Sequence, residues 1–209
     1  MTSIAKKTAR GLLQINAIKL SPANLFTWAS GWRSPIYCDN RRVLSHPAVR
    51  AQVRDAFVEL IRAKYPEAGV IAGVATGAIA HGVLVAQELG LPFIYVRSAP
   101  KEHGLTNQVE GDYEKGQKVV VIEDLISTGG SSLAAAEALR AAGLDVLGMV
   151  AIFTYAFDTA LNNFADAGIA LDTLSDYPTL VNLAQEQGYI GSDDVAALRR
   201  WRENPAEFK

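Results

Sequence analysis

The sequence predicts an α/β protein with a central, mostly parallel sheet flanked by helices. Three observations lead there. Val119-Val120-Val121-Ile122 is an unbroken β-branched run, which reads as a strand buried on both faces and therefore a central parallel strand. Strand-like runs alternate with helical periodicities from residue 70 to residue 174, the pattern of a doubly wound sheet. Short strand signals around residues 17–42 precede that alternation and predict a small N-terminal hood on a single domain of residues 1–209.

In chain order, Ile4, Ala5, Ala9, Leu12 and Leu13 recur at helical spacing, so an amphipathic helix is expected over about 3–15. Ala17 to Leu20 is a short apolar piece that Ser21-Pro22 ends. Residues 25–30 and 34–39 read as two strands of a hairpin turning at Gly31, expected to cover the sheet edge. Arg33 to Arg41 is unusually polar and charged for a plain hairpin edge. Pro47 starts a helix to about Lys64, with Val49, Val53, Phe57, Leu60 and Ile61 on one face. Strands follow at 70–74, 92–96, 118–123, 146–154 and 169–174, with helices at 79–89, 130–142 and 158–167 between them. Residues 98–116 read as one long polar loop, and helices near 179–187 and 192–203 close the chain.

Ligands of such sheets bind beyond the carboxyl ends of the strands. Three stretches converge there: Ala75-Thr76-Gly77-Ala78, the loop after Arg97, and Glu123-Asp124-Leu125-Ile126-Ser127-Thr128-Gly129-Gly130-Ser131. The last fits a sugar phosphate. Its glycines let backbone approach an anion without an intervening Cβ. Its N–H groups and the following helix N-terminus favour negative charge. Ser127, Thr128 and Ser131 add hydroxyl donors, and Glu123 and Asp124 can accept from ribose hydroxyls. The spacing is neither G-x-G-x-x-G nor a P-loop, and no lysine follows the glycines. The Ala75–Ala78 turn could offer N–H groups to a pyrophosphate or be a plain strand–helix turn. The loop after Arg97 exceeds the length of a simple connection. Arg97, Lys101 and His103 in it supply charge for a departing pyrophosphate, and its glycines suit a lid that excludes water.

Bulk properties narrow the class. Of 209 residues, 49% are hydrophobic and 20% charged, ordinary for a globular protein. A net charge of −2 gives no support to nucleic acid or an anionic membrane as partner. The lone cysteine, Cys38, excludes an internal disulfide and suits a reducing compartment. Met1 to Arg10 is polar and basic without an apolar core, so no signal peptide or membrane span is expected and the expected location is cytoplasmic.

The Glu123–Ser131 stretch resembles the phosphoribosyl pyrophosphate (PRPP) motif of type I phosphoribosyltransferases. Arg97 followed by Lys101, His103 and Gly104 resembles the catalytic loop of the orotate-specific branch. Phe26-Thr27-Trp28 with Ser30-Gly31 and Arg33-Ser34-Pro35-Ile36-Tyr37-Cys38-Asp39-Asn40-Arg41 is similar to that branch's N-terminal hood. The matching order runs from about residue 20 to 155. The resemblance implies the type I phosphoribosyltransferase fold and transfer of ribose 5-phosphate from PRPP to orotate, giving orotidine 5′-monophosphate and pyrophosphate in pyrimidine synthesis. It implies PRPP contacts from Arg97, Lys101, His103 and Glu123 through Ser131, catalytic roles for Lys101, His103 and Asp124, and an orotate contact from Ser127. It implies Mg²⁺ carried largely by substrate oxygens, no permanent protein-bound metal, and a homodimer whose lid residues are shared between subunits.

The chain also departs from many members, which carry lysines where Ser98, Ala29 and Gly77 stand here, and from some that carry one at Ala99. The arginine that meets the orotate carboxylate in some members has no match near Phe153-Thr154-Tyr155. Backbone groups of the hood, or Arg33, are left to substitute. The competing readings are a phosphoribosyltransferase for another base, a PRPP-binding regulator, and more remotely a nucleotide-binding module. A regulator would carry a DNA-binding segment or basic face, and a nucleotide module a Walker lysine.

Overall fold

A computed structural model describes residues 3–28, 30–98 and 108–206. Six strands form the main sheet: β5 (Val70–Val74), β6 (Phe93–Val96), β7 (Val109–Glu110), β8 (Lys118–Ile126), β9 (Asp145–Thr154) and β10 (Leu171–Asp176). Their order is β10-β9-β8-β5-β6-β7, parallel except for the antiparallel edge strand β7. The expected α/β architecture is present. All of β5 and residues 119–122 of β8 are buried, as layers on both faces require.

Among the described residues seven α-helices surround the sheet: α1 (Ile4–Gln14), α2 (Pro47–Lys64), α3 (Ile79–Leu89), α4 (Gly130–Ala141), α5 (Asp158–Asp166), α6 (Tyr177–Glu186) and α7 (Ser192–Glu203). The chain leaves β5 toward β6 through α3, then returns to the other side of β5 at β8 and proceeds through α4 to β9. Right-handed crossovers in opposite directions place α3 and α4 on opposite faces. The direction reverses between β5 and β8, so their C-terminal ends flank a crevice. The expected face of α2 holds: Val53, Phe57 and Ile61 are buried, and Val49 and Leu60 pack partly buried against them.

The hood differs from the expected hairpin. Phe26–Thr27 (β2) does pair antiparallel with Arg33–Ser34 (β3) around Gly31, which sits at φ +86°. Residues 34–39 are not one strand, because Pro35 has no N–H to continue the ladder. Ile36–Cys38 (β4) instead pairs with Ile18–Leu20 (β1). The hood rests over the C-terminal ends of the central strands rather than the sheet edge: the Trp28 ring lies 4.9 Å from that of Tyr155, just past β9. Two further corrections concern the middle of the chain. The polar loop after residue 98 contains β7, whose Val109 and Glu110 pair with Val96 and Tyr95. Strand β8 runs through the acidic pair to Ile126 instead of stopping at 123, because β9 matches it residue for residue there.

Candidate active site

The crevice is built by three elements that meet at the β5/β8 reversal: the Ala75–Ala78 turn, the end of β8 with its loop, and the hood residues after β4. A cleft of about 390 Å³ is lined there by Cys38, Arg41, Thr76, Gly77, Asp124 and Ser131, among others. The Ala75-Thr76 peptide in its wall is cis. A second cavity of about 500 Å³ shares Ala75 and Thr76 with the first and continues to Arg97 and Ser98, so the two form one groove along the strand ends.

The two carboxylates of β8 occupy different environments. Glu123 is 5% exposed. Its Oε1 accepts from the Asp124 N–H at 2.9 Å, and its Oε2 accepts from Ser132 Oγ at 2.8 Å. Burial, then the neighbouring Asp124 charge, holds its carboxyl well above the usual carboxylate range. Asp124 is half-buried and faces the turn across the crevice: a Cβ at Gly77 would fall 2.4 Å from its Oδ2. A side chain at position 77 would have to displace this carboxylate, so the absent lysine and the placement of Asp124 are one local solution.

A consequence can be measured on the unliganded protein. The native Glu123 carboxyl keeps its proton above about pH 4.3, where the unfolded one has lost it. The native state then binds more protons, so stability falls as pH rises from there through the raised native pKa, and levels off above it. Glu123→Gln cannot titrate: its Oε1 can still accept from the Asp124 N–H, and its Nε2 donates to a Ser132 Oγ that turns to accept. The stability of the variant minus that of the unmodified protein, from urea unfolding, should therefore grow by up to about 1.4 kcal/mol per pH unit between about pH 5 and 7. A difference that stays flat across that window would refute the assignment.

After β8 the loop closes onto α4. Gly129 takes φ +85°, which glycine adopts without steric cost, and no side chain caps α4. The first N–H groups of that helix are left to an external acceptor, the arrangement that binds phosphates. Asn163 Nδ2 donates to Thr128 O at 3.0 Å and ties the loop to α5. Thr128, Gly130 and Ser131 are exposed, Ser127 is half-buried, and Leu125 lines the cleft. Ile126 is fully buried and its carbonyl accepts from Tyr155 N, so its side chain does not reach the cleft.

Arg97 lines the second cavity. Its N–H donates to Gln108 O at 2.9 Å, Gln108 Nε2 returns a bond to Arg97 O at 2.8 Å, and Arg97 Nη1 lies 3.6 Å from Glu110. These contacts close the base of the long loop. Lys101 and His103, with Ala99 and Ala29, lie outside the described residues.

Three further residues contribute beyond those assigned a role from the sequence. Asn40, 1% exposed, donates from Nδ2 to Asp124 O at 2.5 Å and so pins the hood to the acidic strand. His81, on the first turn of α3, bonds the Asn40 backbone, and its Nε2 has no partner among the described residues; burial pushes its imidazole below the usual range. Ser132 fixes the Glu123 carboxyl. The unusual polarity of Arg33–Arg41 pointed at Asn40, and nothing in the sequence pointed at His81 or Ser132. Among the described residues no cluster of three or more His, Cys, Asp or Glu could hold a metal ion, and no helix is long and apolar enough to cross a membrane.

The phosphoribosyl transferase domain family matches residues 39–166, a span that contains every element of the groove except the hood strands. A protein of Phocaeicola vulgatus named orotate phosphoribosyltransferase is 54% identical over 209 residues, 100% of this chain and 99% of that protein. The solved orotate phosphoribosyltransferase of Aeropyrum pernix superposes with a TM-score of 0.76 at 30% identity, covering 88% of this chain and 99% of that one. The structure of Leishmania donovani UMP synthase gives a TM-score of 0.79 at 29% identity over 94% of this chain, which spans 42% of that longer protein.

Proposed function

Because this chain belongs to the orotate phosphoribosyltransferases, glycosyltransferases that move ribose 5-phosphate from PRPP to orotate in pyrimidine synthesis, we propose that the groove at the β5/β8 reversal is where it does so and assign its residues accordingly. The observation that carries the assignment is an acidic pair at the end of β8 followed directly by an uncapped helix N-terminus. That juxtaposition suits a sugar bearing both a phosphate and free hydroxyls.

The 5′-phosphate sits on Ser127, Thr128, Gly129, Gly130 and Ser131, with Leu125 and Ile126 framing the turn. Asp124 takes the ribose hydroxyls directly, and its charge favours the cationic sugar that develops as the glycosidic bond breaks. Glu123, with both oxygens already engaged, holds that strand end in place and supports the same contact. The diphosphate lies along Ala75–Ala78 toward Arg97, and Arg97, Lys101 and His103 neutralise it as it departs. Ser127 contacts orotate at the hood side. The orotate ring nitrogen attacks C1 of the ribose while pyrophosphate leaves, so the protein's work is positioning and charge stabilisation rather than covalent attack.

Mg²⁺ fits as an ion carried in by the diphosphate: Asp124 is a hard oxygen donor facing the cleft, and Mg²⁺ takes few protein ligands beside substrate oxygens and water. Bound there, it neutralises charge on the diphosphate. The single domain of residues 1–209 acts as a cytoplasmic homodimer whose lid residues serve the neighbouring groove.

A panel assay tests the reading. With PRPP and Mg²⁺, pyrophosphate release is expected with orotate and not with hypoxanthine, adenine or uracil. Turnover of one of those bases but not orotate would overturn the choice of base. PRPP binding without pyrophosphate release from any base would reassign the protein as a sensor.

A further inference from the structure

Both substrates of the proposed reaction are anions, yet the cleft between hood and β8 is lined by acids. Asp39, Glu123 and Asp124 border it, and Arg41 is the one cation among its described lining residues. The carboxylate of orotate entering beside Asp124 meets net negative charge unless a cation faces it. Arg97 belongs to the adjoining cavity and leans toward Glu110 at 3.6 Å, on the diphosphate side. Arg33 does not line the cleft; it lies on β3, where its carbonyl accepts from Trp201 Nε1 at 3.1 Å.

Arg41 is held in a particular way. Asp39 Oδ1 accepts from the Arg41 backbone N–H at 3.3 Å and from its Nε at 2.7 Å. One edge of the guanidinium is thereby fixed to the start of the 3-10 turn at Asn40–Ser45, while among the described residues neither Nη is bonded. A guanidinium restrained at Nε presents its two Nη groups as a fork that matches a carboxylate. The guanidinium lines the same cleft as Asp124, Gly77 and Ser131.

We propose that Arg41 docks the carboxylate of orotate, replacing the arginine that the turn after β9 lacks. The assignment rests on the orotate reading above and adds a specificity-determining residue to it.

The test is steady-state kinetics of Arg41→Ala and Arg41→Lys, varying orotate and PRPP separately. Loss of a bond to a charged group is worth roughly 1.5–3 kcal/mol, so KM for orotate in Arg41→Ala should rise roughly 10- to 100-fold. KM for PRPP should rise much less, since on the proposed assignment PRPP is also held by the Ser127–Ser131 loop and by Arg97 in the adjoining cavity. Arg41→Lys should recover part of the orotate affinity, because it keeps the charge but not the fork. Arg41 is largely exposed, with 64% of its side-chain surface accessible, so both variants should fold. An unchanged orotate KM, or a rise in the PRPP KM instead, would overturn the proposal while leaving orotate turnover by the unmodified protein, and hence the parent reading, intact.

Discussion

Lys101→Ala is expected to lower kcat by about 100- to 1,000-fold, the usual effect of removing one donor aimed at charge that develops in the transition state. The reason lies in the charges of the groove. On the proposed assignment Asp124 assists the cationic sugar, while the departing diphosphate gains negative charge as the bond breaks. The Arg97 backbone is tied to Gln108 at the base of the loop, and its Nη1 lies 3.6 Å from Glu110, so part of its charge is already offset by a carboxylate. Lys101, four residues along, is the next cation in sequence. KM for PRPP should move much less than kcat if the contact forms mainly in the transition state. Mixing Lys101→Ala with Asp124→Asn subunits gives a second readout. If the lid serves the neighbouring site, a mixed dimer regains one intact groove, and statistical mixing restores about one quarter of full activity. A kcat within about 3-fold of the unmodified protein would remove Lys101 from the mechanism. Strong loss in Lys101→Ala with no recovery on mixing would keep its role but confine it to its own subunit.

Much of this groove is legible in the sequence. Val119 to Ile122 announced a central strand because four apolar β-branched side chains need cover on both faces. Glu123 and Asp124 drew attention because carboxylates at a strand end must face a crevice or a partner. The same pair hid the true end of β8: polar residues read as a boundary, yet backbone pairing with β9 continues to Ile126. β7 was invisible because two residues carry no periodicity, and only the neighbouring edge of β6 makes Val109–Glu110 a strand. Pro35 was the missed signal in the hood. It signals a break in the ladder, but which strand each half then joins depends on partners at 18–20 and 26–27. Asn40 stood out only as part of the polar Arg33–Arg41 stretch, whereas His81 bonds the Asn40 backbone and Ser132 the Glu123 carboxyl, contacts that arise only when the hood, α3 and α4 are packed, so no local pattern encodes those two.

The aromatic cluster behind the hood is the extreme case of such non-local encoding, and it yields the largest stability effect. Trp201, near the end of α7, is fully buried. Its ring lies 5.4 Å from those of Phe157 and Tyr177, 5.6 Å from that of Trp28 and 5.9 Å from that of Tyr155. Its Nε1 donates to Arg33 O, so the last helix is bonded to the hood 168 positions earlier in the chain. Trp201→Ala should cost about 3–5 kcal/mol, the usual penalty for emptying a buried aromatic site. That is a large part of the 5–15 kcal/mol typical of whole domains. Urea unfolding should show a lower midpoint at nearly unchanged slope. Trp201→Phe keeps most of the volume and loses the donor, so about 1–3 kcal/mol is expected from the carbonyl left behind. Because Trp28 joins this cluster while its Nε1 also donates to Ile36 O at 3.1 Å, loosening Trp201 loosens the strand that leads to Cys38, Asp39 and Arg41. KM for orotate should then rise more than KM for PRPP, whose proposed phosphate loop is tied separately through Asn163. A Trp201→Ala protein within about 1 kcal/mol of the unmodified chain would show that α7 is an appendage to the domain rather than the support of its hood.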